Sequence, residues 1–274
     1  RDIHKLAGFC LESGHEIFPD KVKYENLRDF VLRLNQSVLS RRTQARIISG
    51  IKSFFRYLLL NDTITEDPSA LLESPRPGVH LPEVLSPAEI DNLIKTIDLS
   101  RPDGHRNKAM LETLYSCGLR VSELTNLRLT DLFFEEGYIR IIGKGNKERL
   151  IPISQHAIEQ INIYVKEYRN KMPKIDKKSE NILFLNRRGR KLTRVMIFTI
   201  IKELAKKAGM KKNVSPHTFR HSFATHLVQA GADLRAVQEM LGHESILTTE
   251  VYTHIDRIFL KETIGLYHPR GRKR

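Results

Sequence analysis

The sequence predicts a mainly α protein in two parts, with a small β-hairpin set into the second part. Three observations carry that prediction. Apolar residues recur at helical spacing over most of the chain. A proline-rich stretch at 74–87, with four prolines and a glycine, interrupts the helical pattern. Tyr138–Ile142 and residues 149–153 alternate about a glycine-containing turn, as the strands of a hairpin do.

Leu27, Phe30, Val31 and Leu34 stand at i, i+3, i+4 and i+7, one face of a first helix. Residues 40–60 form a second, with Ile47, Ile48, Ile51, Phe54, Phe55 and Leu58 on its apolar side. That helix begins with Arg41, Arg42 and Arg46, with Gln44 between them. A basic helix start is either a solvated end or a face that tracks phosphates and enters a groove. The proline-rich stretch reads as an extended linker. It places an N-terminal domain at 1–77, a linker at 78–83 and a second domain at 84–274. Ser86 then offers a helix cap, with Pro87 at the first helical position and Glu89 closing the capping box. Helices are expected to continue to about Leu129, before the hairpin. The remainder reads as mostly helical, with a polar break at 174–180. At the end, Arg270, Arg272, Lys273 and Arg274 are expected to form a mobile basic tail. The chain shows no internal repeat.

Lys and Arg number 46 against 32 Asp and Glu, a net charge of +14. A field of that sign favours a polyanion partner, nucleic acid foremost. The cysteines, Cys10 and Cys117, lack metal-like spacing and read as buried thiols in a reducing, cytoplasmic compartment. No apolar run approaches the roughly 20 residues that span a bilayer, and no secretory signal is visible. The chain begins at Arg1 rather than Met, inside an apparent helix, so the natural N-terminus is expected to lie upstream.

The chemistry concentrates at 214–254, which holds His217, Arg220, His243 and Tyr252. Two imidazoles, a guanidinium and a phenol suit reaction at an anion. A metal-dependent nuclease would be expected to gather Asp and Glu around a divalent ion. Cationic and neutral donors beside one possible nucleophile suit a phosphodiester attacked by tyrosine without a metal. His217 and His221, four residues apart, lack the Glu of an H-E-x-x-H site and any nearby Cys or carboxylate. No metal and no other cofactor are expected.

These segments resemble the tyrosine recombinase family, and within it the XerC/XerD-like chromosome-dimer recombinases. HTFRH at 217–221 matches the His-x-x-Arg-His box, LGH at 241–243 the second histidine, and TTEVYTH at 248–254 the tyrosine segment. YSCGLRVSEL at 115–124 matches the first-arginine motif, and GKGNKER at 143–149 the lysine hairpin. All five occur in the family's order.

The resemblance implies an N-terminal helical, SAM-like core-binding domain and a mixed, mostly helical catalytic domain. It implies Tyr252 as nucleophile, leaving a 3′-phosphotyrosyl link and a free 5′ hydroxyl, with no need of ATP. Arg120 and Arg220 would neutralise the non-bridging oxygens. Lys144 would protonate the departing oxygen, with Lys147 its nearby competitor. His217 would shuttle the tyrosine proton and His243 bond the phosphate. Glu123 would orient Arg120 from the same helical face, or the ion pair is the whole explanation of Arg120. His221 and His226 read as structural, and His254 is undecided.

The resemblance further implies a nucleoid-associated enzyme acting on double-stranded DNA at a dif-like site through a Holliday junction. It implies a homotetramer, or a heterotetramer with a paralogous recombinase, on two DNA sites, and an FtsK-like translocase as a further partner. It also implies that a C-terminal helix near Phe259 to Tyr267 packs on a neighbouring protomer. The spacing of Phe259, Leu260, Ile264 and Tyr267 equally allows that face to be buried within one chain. Three rivals remain: a monomeric type IB topoisomerase, a mobile-element integrase with an added arm-binding domain, and a non-catalytic DNA-binding protein.

Overall fold

The computed structural model describes residues 2–14, 18–75, 83–143, 147–242 and 254–271, with side chains in the last segment from 259 onward. It divides into two units, Arg1–Leu81 and Pro82–Arg274. Of the predicted linker at 78–83, Glu83 alone is among the described residues.

The first unit is built on α1 (Asp2–Glu12), α2 (Tyr24–Gln36) and α3 (Arg41–Leu60). Leu27, Phe30 and Leu34 of α2 close with Ile47, Ile48, Ile51 and Phe55 of α3 on Leu6, Phe9 and Cys10 of α1. Burying each such side chain contributes about 1.5–3 kcal/mol, so the predicted apolar stripes are what fix the helices against one another. Ser40 caps α3, its Oγ accepting from the Thr43 amide at 3.3 Å.

The second unit opens with α4 (Pro87–Lys95), α5 (Pro102–Cys117) and α6 (Val121–Asn126). The capping box at α4 forms as read: Glu89 accepts from the Ser86 amide at 2.7 Å, and Ser86 Oγ from the Glu89 amide at 3.2 Å. Helix α5 is the axis of the unit, buried on every side from Ala109 to Cys117, as a helix enclosed by neighbours must be. Its polar residues are satisfied: Thr113 donates to Ala109 O, and Ser116 to Ser154 Oγ. Both cysteines are buried and free.

A 3₁₀ turn (Leu129–Asp131) leads to β1 (Leu132–Phe133), β2 (Tyr138–Ile142) and β3 (Glu148–Pro152), an antiparallel sheet in the order β1-β2-β3. Ile139 pairs Ile151, and Ile141 pairs Arg149. The predicted hairpin is therefore part of a three-stranded sheet. Strand β1 has two residues, too few for alternation to be legible in a sequence. Beyond it run α7 (Gln155–Tyr164), α8 (Arg194–Lys207), α9 (Pro216–Gln229), α10 (Leu234–Leu241) and α11 (His254–Tyr267). The polar break is longer than predicted. It includes a 3₁₀ turn (Lys177–Ser179) and isolated bridges from Arg128 to Ile182 and from Leu185 to Lys191. Buried Arg169 holds it by donating to the carbonyls of Glu180, Ile182 and Leu183.

At the C-terminus one open choice is narrowed and one expectation is corrected. Leu260 and Ile264 of α11 are buried in their own unit, against Phe223 and Leu227 of α9 and Val237 and Met240 of α10. Of the alternatives the spacing allowed, Leu260 and Ile264 take burial within the chain, while Phe259 is exposed. Arg270 is no part of a mobile basic tail. Its Nη2 lies 2.7 Å from Asp91, its Nε donates to Glu112 at 2.8 Å, and its guanidinium lies over the Tyr115 ring. Arg272, Lys273 and Arg274 lie outside the described residues. Among the described residues no helix is long and apolar enough to cross a membrane.

Candidate functional site

Arg120 reaches its place through the end of α5. Gly118 caps that helix at φ +58°, and a Cβ there would meet the Phe223 ring at 2.4 Å. Glycine meets both demands, the left-handed turn and the close approach. The chain reverses into α6 with Arg120 as N-cap residue. Glu123 accepts from the Arg120 amide at 2.8 Å and from Nη1 at 2.9 Å. The pairing expected from the sequence is present, but Arg120 stands ahead of the helix rather than on its face.

A second guanidinium holds Glu123 more fully. Arg149 donates Nη1 and Nη2 to the two carboxylate oxygens at 3.0 and 2.9 Å, and both side chains are buried. Burial alone would raise the Glu123 pKa; the bonds from Arg149 and Arg120 outweigh it and hold the carboxyl below its ordinary value. Sequence reasoning passed over Arg149 except as the end of a motif. A signal was available: alternation along β3 places it on the same inward face as Ile151, where a charge needs a reason.

Arg220 enters from α9. Ser215 caps the helix and Pro216 takes the first position, leaving His217 exposed in the first turn. One turn on, Arg220 is buried, donating Nη1 to Gly118 O at 2.7 Å and Nη2 to Leu241 O at 2.6 Å. Burial, with Arg120 and Arg149 close by, pulls its pKa down to about 10, so it stays charged at neutral pH.

The three arginines meet at the C-terminus of α10. Met240 O accepts from Arg149 Nε at 3.0 Å, Leu241 O from Arg220, and Gly242 O from Arg120 Nη2 at 3.0 Å. The last carbonyls of a helix lack intrahelical donors and carry the negative end of its dipole. Consecutive carbonyls therefore hold guanidiniums from the cap of α6, from β3 and from α9 in one cluster. Gly242 ends the helix at φ +63°, and a Cβ on it would press on the Arg149 guanidinium at 3.1 Å. Among the described residues, Glu123 is the carboxylate bonded to these cations. The cluster keeps an excess of positive charge, and the Arg120 side chain remains 40% exposed. Such a centre suits an anion whose charge spreads over several oxygens.

Lys144, His243 and Tyr252 lie outside the described residues. His226 is structural, as read: it is buried with Nδ1 2.8 Å from the Tyr115 hydroxyl. In the first unit, Arg41 and Arg42 are exposed at the start of α3, while Arg46 is ion-paired with Asp2. Gln44 is withdrawn as a DNA contact. It is buried, its Nε2 donating to Leu34 O at 3.0 Å and Leu39 O at 3.1 Å, which ties down the loop between α2 and α3.

The fold and the arginine cluster together define a class: a mostly helical protein that gathers three guanidiniums at the end of one helix. Comparison with known proteins narrows it. Residues 83–257 match the Phage integrase family. The chain is 40% identical to "Tyrosine recombinase XerD" of Listeria innocua over 271 residues, 99% of this chain and 91% of that protein. It is 44% identical to "Tyrosine recombinase XerD" of Chlorobaculum tepidum, over 98% and 88% of the two chains. Among solved structures, XerH site-specific recombinase bound to palindromic difH substrate, a post-cleavage complex, matches with TM-score 0.70 and 26% identity over 93% of this chain and 75% of that one. The XerA recombinase matches with TM-score 0.54 and 28% identity over 97% and 90%. The chain belongs to the phage integrase family of tyrosine recombinases. It is a site-specific recombinase that cleaves and rejoins double-stranded DNA.

Proposed function

We propose that Tyr252 attacks the scissile phosphate within a centre formed by Arg120, Lys144, His217, Arg220 and His243, with Glu123 orienting Arg120. The observation that carries this reading is the convergence of Arg120 and Arg220 on adjacent carbonyls at the end of α10, one residue before His243. Two forks fixed beforehand cost no reorganisation as charge develops on the non-bridging oxygens. His217, exposed in the first turn of α9, is open to proton exchange with the phenol. Lys144 protonates the departing 5′ oxygen. The attack conserves the phosphodiester energy in the 3′-phosphotyrosyl bond.

The likeness to XerD and XerH supports recombination at a dif-like site through a Holliday junction, by a tetramer of this chain or of this chain with a paralogue. An FtsK-like translocase belongs to the same reading. Wild-type protein incubated with nicked, site-bearing duplex in EDTA is expected to yield a covalent protein–DNA band that Tyr252→Phe does not. A band that survives Tyr252→Phe would move the nucleophile elsewhere. Strand exchange between two sites then separates the recombinase from a monomeric topoisomerase.

The N-terminal unit is proposed to bind the core DNA through α3. Arg41→Ala and Arg42→Ala are each expected to reduce the slope of log affinity against log salt by about one. Gln44→Ala is expected to destabilise the first unit by about 1–3 kcal/mol, since it removes two bonds that tie down the loop and Leu39 O loses its donor, while Leu34 O keeps those from Ser37, with base preference unchanged. Salt-titrated binding, urea denaturation and binding to mismatched sites check these; an altered base preference in Gln44→Ala would return that residue to the interface.

A further inference from the structure

We propose that Arg149 is a positioning residue for strand transfer: it locks β3, the Glu123–Arg120 pair and the C-terminus of α10 into one unit, and so sets where Arg120 points. The inference rests on the reading of Arg120 as a phosphate-binding group.

Position 149 faces the core, opposite Ile141. An apolar residue would fill that face at no electrostatic cost, as Ile151 does two residues on. A buried arginine is costly unless its donors are paired, and here Nε, Nη1 and Nη2 all have partners. Every partner belongs to something that also holds Arg120. Glu123 bonds Arg120 directly, and the α10 carbonyl row that accepts Arg149 at Met240 accepts Arg120 at Gly242. Exposure assigns the roles. Arg149 is 7% exposed and bonded through Nε, Nη1 and Nη2, whereas Arg120 and Arg220 are bonded through Nη1 and Nη2, and the Arg120 side chain is 40% exposed and can face a ligand. Arg149 also stands on the β2–β3 hairpin, five residues after Lys144 in the sequence. One guanidinium thereby links the foot of that hairpin to the arginine pair. Lysine cannot substitute, because a single ammonium cannot hold both carboxylate oxygens and a carbonyl in one plane.

The test compares two substrates in the full chain: a nicked site with an ordinary scissile phosphodiester, and the same site with a neutral methylphosphonate there. The methyl group removes the charge that Arg120 addresses, so a misplaced Arg120 matters less. Arg149→Lys and Arg149→Gln are expected to keep site affinity within about threefold of wild type and to slow covalent attachment on the phosphodiester by about 100-fold. On the methylphosphonate the same variants should lose less than about tenfold, the pattern also expected of Arg120→Ala. Equal losses on both substrates would mean general structural damage and overturn the proposal. So would unimpaired phosphodiester attachment in both Arg149 variants while Arg120→Ala is slow. If Arg120→Ala itself attaches normally, the reading of Arg120 fails and the proposal falls with it. Should Arg149→Gln not fold by thermal unfolding, Arg149→Gln combined with Glu123→Gln, which leaves no stranded carboxylate, makes the same comparison with the same expected selectivity.

Discussion

Arg220→Ala is expected to slow covalent attachment to DNA by on the order of 10²–10³-fold, with site affinity falling far less. Many phosphate contacts along a duplex share the binding free energy, whereas the transition-state charge at the scissile phosphate is local. Arg220 is buried and held on two sides, by Gly118 O and Leu241 O. Its direction is therefore fixed before substrate arrives. Burial and the neighbouring Arg120 and Arg149 lower its pKa to about 10, which marks a cation crowded by other cations that a bound phosphate would relieve. Arg220→Lys is expected to recover little, since an ammonium cannot span both carbonyls and still reach an oxygen. Single-turnover attachment on a nicked substrate, beside a binding titration, checks this. A rate within about threefold of wild type, far short of the loss expected for a charge-stabilising donor, would remove Arg220 from the reaction.

The second large effect concerns stability. Arg270→Ala is expected to cost about 3–5 kcal/mol, because it strands a buried carboxylate. Glu112 is 1% exposed and accepts from Arg270 at 2.8 Å and from His156 at 3.2 Å. Burial alone would raise its pKa; bonds from His156 and Arg270 more than offset that and leave the carboxyl below its ordinary value. A carboxyl whose folded pKa is depressed contributes stability above its unfolded pKa and loses it as pH falls through the folded value. The gap between wild type and Arg270→Ala should therefore be widest above about pH 4.5 and narrow below it. His268 acts in the same direction over a higher range. Burial, with His226 and Arg270 nearby, lowers its pKa from 6.5 to about 3, so the unfolded chain takes up its proton first and stability declines as pH falls below 6.5. Urea midpoints of both proteins from pH 7.5 to pH 4 check the pattern. With the titration carried on to pH 3, a gap that stays independent of pH would contradict the role given to Glu112.

Much of this molecule was legible because its signals are local. The Ser86–Pro87–Glu89 cap, the stripe of α3 and the β2–β3 hairpin each show in the pattern of one short stretch of sequence. The candidate arginines were legible for a related reason: Gly118 ahead of Arg120, and Ser215–Pro216 ahead of Arg220, are turn and cap residues that a short motif can encode. Arg149, Gln44 and Arg270 were not. Arg149 bonds groups 26 and 91 positions away, and Arg270 a group 158 positions away. Gln44 bonds carbonyls of the preceding helix and loop, whose direction depends on how that loop closes. Residue type states which bonds a side chain is able to make, and it is silent on which partner arrives.

The helical class, the hairpin and the basic balance were readable from the residues alone, because propensity, periodicity and charge reside in them; the reacting groups were named there as candidates. Tertiary structure decided which of those charges serve each other. It turned Arg270 inward to Glu112, buried Leu260 and Ile264 of α11 in their own unit, and brought Arg120, Arg149 and Arg220 onto successive carbonyls at the end of α10. The reason is physical. A buried charge is tolerable only where packing delivers its partner, and packing is a property of the folded chain.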